Sequence, residues 1–220
     1  MENAQRDGLE RIDAGYSKVL YYNCHVIWKG GTIMLYDAKD MEQRAVLEAA
    51  SLMCAAARTA PKTRGLDHIV TLVLTGDEIR ALSDKMKEIG LRVFGKPEGH
   101  FTRDAMNLLQ AQAVVLIGVK RAWYGLPFCS MCGFANCAEC KKANANCAFA
   151  PIDLGIAMGS AVSVAADLRV DNRILFSAGK AAEEMGYLEG EDIIWQGIPI
   201  SIAGKNVFFD RKPSLWQTEK

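Results

Sequence analysis

The sequence predicts an α+β domain with a cysteine-rich loop inserted into it. Three features carry that expectation. Segments with apolar residues at helical spacing are interleaved with continuous apolar runs of strand length. Half of the 220 residues are hydrophobic, enough to bury a full core in one large domain. Five of the seven cysteines, Cys129, Cys132, Cys137, Cys140 and Cys147, fall within nineteen residues.

In chain order, Val19 to Tyr36 holds two β-rich runs on either side of Lys29-Gly30-Gly31, a hairpin signal. Asp40 is expected to open a helix, with Gln43 three residues on as in a capping box. Val46, Leu47, Ala50, Met53, Cys54 and Ala57 then form its apolar stripe until Pro61 stops it. His68 to Thr75 reads as a buried strand, and Thr75 and Glu78 as the cap of a helix ended by Gly90. A short helix follows Thr102. Ala113 to Val119 is a continuous apolar strand of the kind buried on both faces, and the cysteine loop leaves from its end. Beyond Pro151, Ile152 to Asp167 reads as one helix. Asp171 is expected to cap a second helix reaching about Gly186, and Asp192 to Ile202 reads as a strand. Gly155-x3-Gly159, with Ala157, Ser160 and Ala161, gives the first of these helices a thin face suited to helix packing or to a subunit interface.

Twenty-six basic residues against 26 acidic ones leave no net charge, so electrostatics offer no case for nucleic acid or an anionic membrane as partner. The longest small-apolar run, Leu154 to Ala166, is 13 residues, short of a bilayer span. The opening Met1-Glu-Asn-Ala-Gln-Arg-Asp lacks the pattern of a secretory signal, so a reducing cytoplasm is expected. In that setting a dense cysteine group points to metal.

The spacing is Cys129-x2-Cys132-x4-Cys137-x2-Cys140, with Cys147 seven positions further on. Four soft, anionic thiolates suit a 4Fe-4S cluster or a tetrahedral zinc. The two pairs stand closer than zinc knuckles usually do, and Gly133 with few charges from Leu126 to Cys137 would let backbone amides approach cluster sulfide, which favours iron and sulfur. Cys137 and Cys140 fit one helical turn, whereas Cys147 follows a loop and precedes a helix; either could supply the fourth ligand. Cys24 and Cys54 read as isolated buried thiols. Trp123 and Tyr124, just before the loop, are placed to shield it. His25, His68 and His100 have no partner at metal spacing.

Arg58, Lys62 and Arg64 bring three cations to a helix C-terminus, where positive charge is favourable on its own account; the same guanidinium forks could hold an anion. No phosphate-binding glycine loop, dinucleotide fingerprint or nucleophile elbow is present.

Ala55-Ala-Ala-Arg58-Thr-Ala-Pro61-Lys-Thr-Arg64-Gly65-Leu-Asp67, the cysteine loop, Cys147-Ala-Phe-Ala-Pro-Ile-Asp153-Leu-Gly-Ile-Ala-Met-Gly159, Val170-Asp-Asn-Arg173-Ile and Gly197-Ile-Pro-Ile through Asp210-Arg211 resemble the uncharacterised ferredoxin-domain proteins of bacteria and archaea. The resemblance spans roughly residues 41 to 212. It implies that the fourth ligand is Cys147, because the position of Cys140 is usually not cysteine in that family. It divides the chain into an N-terminal extension with a hairpin (1–40), a core (41–212) containing the cluster loop (126–150), and a tail (213–220).

The order of helix, Ala-x-x-Ala-Pro, strand, helix and a late Asp-x-Gly helix is also similar to the FMN-dependent nitroreductases. That likeness implies a nitroreductase-like fold, a central sheet flanked by helices, and a homodimer. FMN is the second cofactor it would allow. The chain departs from the nitroreductase pattern, carrying Lys62, Gly65 and Asp67 where that family has serine, asparagine and glutamine, and lacking its Arg-x-Ser-x-Arg. A flavin would fall to Arg58, Lys62, Arg64, Lys205 and Arg211. The expected function is an iron-sulfur redox protein binding one 4Fe-4S cluster and passing electrons to a partner protein, or to a flavin or small substrate in a nitroreductase-like pocket. The alternative is a metal-stapled interaction module without catalysis. No residue pair suited to general acid–base work stands out, and no catalytic residue or substrate is assigned.

Overall fold

The computed structural model describes residues 26–28, 31–33, 36–97 and 99–209. The chain divides into two compact units, Met1–Asp37 and Ala38–Lys220. In the first, β1 (Val26–Trp28) and β2 (Gly31–Ile33) pair antiparallel with Trp28 opposite Gly31; Lys29 and Gly30 of the expected turn lie outside the described residues. Cys24, His25 and the remainder of the two β-rich runs lie largely outside the described residues.

The second unit is built on a four-stranded antiparallel sheet in the order β3 (Ile69–Leu74), β4 (Ala113–Lys120), β6 (Ile193–Ser201) and β5 (Asp171–Asn172). Helices α1 (Ala38–Thr59) and α5 (Phe149–Asp167) cover one face; α2 (Asp77–Phe94), α3 (His100–Leu108) and α6 (Phe176–Met185) cover the other. β4 explains this layering. Its residues are apolar without interruption up to Lys120, so Ala113, Val115, Ile117 and Val119 enter the core under α1 and α5, while Val114 and Leu116 enter the core under the other three helices. Each fully buried aliphatic side chain is worth about 1.5–3 kcal/mol relative to exposure. Only a central strand can bury both rows.

Glycines set how closely α6 approaches. An ideal Cβ on Gly179 would stand 2.0 Å from the Trp195 carbonyl oxygen, and one on Gly197 would stand 2.6 Å from Ala178 Cβ. With Ser177, Ala178, Ala181 and Ala182 also buried, α6 presents only small groups to β6 and rides directly on its backbone.

Several boundaries differ from the sequence expectation for identifiable reasons. β3 is an edge strand, so only its ends are fully buried and Val73 is exposed. Gly90 does not end α2. It sits inside the helix against Phe101 of α3, the tight crossing outweighing the cost of about 1 kcal/mol for a helical glycine; the stop is Gly95, with φ 68°. α1 starts at Ala38, which puts Asp40 in the first turn instead of at the cap. Asp171 pairs in β5 with Ser201, and α6 begins only at Phe176. α5 extends to 19 residues, long and apolar enough by length and composition to cross a membrane, although a third of that stretch is buried inside the protein, with Ala157, Ala161 and Ala165 packed in the core beside α1.

Candidate metal centre

The segment between β4 and α5 is held at both ends. On the outgoing stem, Arg121 donates to the carbonyl of Asn144 at 3.2 Å, and the Trp123 indole N–H donates to that of Ala145 at 3.0 Å. These bonds draw the returning stretch beside the departing one, so the intervening loop closes on itself. Its first turn is tightly coiled. Phe128 and Ser130 take φ values of 54° and 45°, left-handed conformations that cost about 1–2 kcal/mol each outside glycine, and Gly133, at φ 82°, donates back to Ser130 at 3.0 Å. The same coil leaves Phe128 and Met131 exposed. Such unfavourable geometry gathers at functional loops.

The coil and the short helix α4 (Cys137–Lys142) enclose a cavity of about 90 Å³. Cys129, Cys132, Cys137 and Cys147 line it, together with Leu126, Phe134 and other uncharged residues. Cys140 is not among its lining. The Asn136 side chain caps α4 by accepting from the Glu139 amide at 3.0 Å, which fixes the helical turn; Cys137 then faces the cavity while Cys140 turns inward. There Cys140 is 1% exposed, its thiol directed at the carbonyls of Ala145 and Asn146 at 3.5 and 3.7 Å. Burial, followed by hydrogen bonding with Cys132, pushes the Cys140 thiol above its ordinary pKa. Cys147 is 6% exposed at the far wall.

Among the described residues no three cysteine, histidine or carboxylate side chains are grouped tightly enough to hold a single metal ion.

A buried polar group is centred on the start of α5. Asp153, on the second turn of α5 and 2% exposed, accepts from the Thr63 amide on both oxygens at 3.1 Å, from the Thr63 hydroxyl at 2.8 Å and from the Tyr124 hydroxyl at 2.8 Å. Arg64, at φ 56°, donates to the Tyr124 carbonyl at 2.6 Å. The Tyr124 ring stands edge-on to His68 and Phe149. Burial, then the bond to Asp153, raises the Tyr124 phenol well above its usual pKa, with the Cys147 sulfur adding to the effect. The signal for Asp153 was available. It is the one charged residue between Phe149 and Ala166 in an otherwise apolar helix.

Arg58, Lys62 and Arg64 are not in the lining of this cavity. Arg58 pairs with Asp67 and donates to the Ile69 carbonyl. Lys62 donates to the Arg58 and Ala60 carbonyls at the end of α1, and Arg64 is engaged with Tyr124. The helix-end role considered for these cations is thus filled by Lys62. Lys205 lies on the exposed turn after β6, and Arg211 falls outside the described residues. Cys54, half-buried on α1, has its pKa raised by burial, as expected of a packed thiol.

Residues 143–211 match the family model described as an uncharacterized protein containing a ferredoxin domain (DUF2148), a stretch that starts after Cys140 and takes in Cys147 and Asp153. An uncharacterized protein of the archaeon Archaeoglobus fulgidus is 40% identical over 191 residues, covering 82% of this chain and 99% of that protein. Among solved structures, a nitroreductase with bound FMN from Desulfitobacterium hafniense is similar over 76% of this chain and 81% of its own, with 15% identity and a TM-score of 0.47. A BluB-like flavoprotein from Clostridium difficile is similar over 76% and 84%, with 17% identity and a TM-score of 0.47.

Proposed function

The chain belongs to the family of uncharacterized proteins containing a ferredoxin domain, and from that premise we propose that it is a redox protein whose loop binds one 4Fe-4S cluster through Cys129, Cys132, Cys137 and Cys147. One observation carries the reading: four of the five loop thiols line a single cavity free of charged side chains. A polynuclear centre gives each thiolate its own iron, so its ligands stand around a volume instead of converging on a point. The donor set and the cavity therefore fit such a group better than they fit zinc. When bound, the cluster supplies one-electron transfer.

The surrounding residues hold and insulate it. Trp123 and Arg121 keep the loop stems together, and Leu126 and Phe134 exclude water from one wall, which bears on the potential. The exposed Phe128 and Met131 beside Cys129 and Cys132 offer an apolar edge through which an electron partner, protein or small molecule, can approach. FMN has less to hold it, because Arg58, Lys62 and Arg64 already serve groups of the protein itself. A reducing cytoplasm suits the six unbridged cysteines.

The test is optical. Anaerobically prepared protein should show a broad visible band that bleaches on reduction with dithionite; a colourless protein carrying zinc would overturn the reading.

A homodimer belongs to the same proposal. α5 exposes Ile152, Gly155, Ile156 and Gly159 along one side, a flat apolar face on which the same helix of a second copy can pack closely. Light scattering should then give twice the 24.1 kDa chain mass, and a monomer at micromolar concentration would refute it.

A further inference from the structure

We propose that Asp153 is a fixed buried anion that holds the reduction potential of the thiol-lined centre down, acting on it through space and not as a ligand. The proposal rests on the iron-sulfur reading above and deepens it.

The hydrogen bonds define the charge. One oxygen accepts from the Thr63 amide and hydroxyl, the other from the same amide and from the Tyr124 hydroxyl. The Thr63 amide can only donate and reaches both oxygens, and the two hydroxyls complete the shell, an arrangement that suits a carboxylate accepting on both oxygens. Arg64, the guanidinium on the adjoining turn, is turned to the Tyr124 carbonyl, and among the described residues Asp153 has no ion pair. Burying an unpaired charge is expensive, and an uncharged side chain of the same shape would be cheaper as a brace. The brace alone therefore does not account for aspartate.

The location supplies the account. Asp153, on the second turn of α5, follows the cavity-lining Cys147 by six residues, and its partner Tyr124 lies at the foot of the loop, edge-on to Phe149. Tyr124 and Cys147 are both buried, and Phe149, two residues after Cys147, packs on the Tyr124 ring, so the carboxylate network and the thiols share one poorly solvated region. Reduction adds an electron to a centre that is already anionic. A buried negative charge nearby opposes that step, and low local polarity strengthens the opposition.

Asp153→Asn keeps the size and removes the charge; Tyr124→Phe keeps the charge and removes one donor from it. These two changes separate tuning from bracing. If the network only braced the loop, both variants would loosen it and move the potential in the same direction. If Asp153 acts by its charge, Asp153→Asn raises the midpoint. Tyr124→Phe then leaves the midpoint unchanged or lowers it, because the carboxylate loses a partner that spread its charge.

The experiment is a dye-mediated redox titration of full-length protein followed at the visible band, with iron content and Tm recorded for each variant. The expected result for Asp153→Asn is on the order of a tenfold change in the oxidised-to-reduced ratio at fixed poise, about 59 mV upward for one electron. An unmoved or lowered midpoint in iron-loaded Asp153→Asn overturns the proposal. If that variant does not load iron, Tyr124→Phe decides alone, and an upward shift in it overturns the proposal. Absence of iron from the wild-type protein would instead overturn the cluster reading itself.

Discussion

Replacing Cys147 with serine should strip the protein of its visible chromophore, while replacing Cys140 with serine should largely spare it. The two cysteines differ in position and not in chemistry. Cys147 lines the cavity with Cys129, Cys132 and Cys137; Cys140, one helical turn after Cys137, is outside the lining, buried behind Cys132 with its thiol directed at backbone carbonyls. A serine at Cys147 presents a harder and far less acidic donor, so a cluster there would lose an iron ligand. At Cys140 the hydroxyl can donate to the same carbonyls as the thiol, with a small packing loss. Cys132→Ser should match Cys147→Ser, since both would break the same ring of donors. Iron per chain after anaerobic purification measures all three. If Cys140→Ser loses iron and Cys147→Ser keeps it, the ligand assignment is wrong.

The second large effect is on the fold. Gly179→Ala should destabilise the protein by about 3 kcal/mol, because the added methyl would meet the Trp195 carbonyl oxygen at 2.0 Å, its carbon at 2.6 Å and Gln196 Cα at 2.9 Å. All three are backbone atoms of β6, so no side chain can swing away. α6 would have to lift, opening the core around Trp195 and Leu116. At about 2–4 °C per kcal/mol for a unit of this size, thermal unfolding should fall by about 6–12 °C. Gly204→Ala, on the exposed turn after β6, is the control. Nothing stands within 4 Å of that position and its φ is not in the left-handed region, so alanine should be close to neutral. Equal melting of the two variants would show that the close approach of α6 is not what the fold depends on.

How far the sequence revealed these features depended on whether the signal was local. β4 was readable because an unbroken apolar run has few other homes, and α4 because Asn136 and the Cys137–Cys140 spacing favour one helical turn. Gly90 misled because a glycine in a helical pattern resembles a stop until the neighbour it accommodates, Phe101, is known. The edge position of β3 and the short β5 depend on strand order, which no local pattern encodes.

The site divides in the same way. Cysteine spacing identified the loop, and four of its five thiols do share a cavity, but the inward rotation of Cys140 is settled by α4 and its carbonyl partners. For Arg58, Lys62 and Arg64 the sequence shows charge density and hides what each cation touches. Asp153 was passed over for the opposite reason: its partners, Thr63 and Tyr124, lie 90 and 29 residues away along the chain.

The most direct measurement is metal and sulfide analysis of the anaerobically purified chain. About four iron atoms and about four acid-labile sulfides per polypeptide are expected for one cubane on four thiolates. Zinc without sulfide, or neither metal nor sulfide, would contradict the assignment.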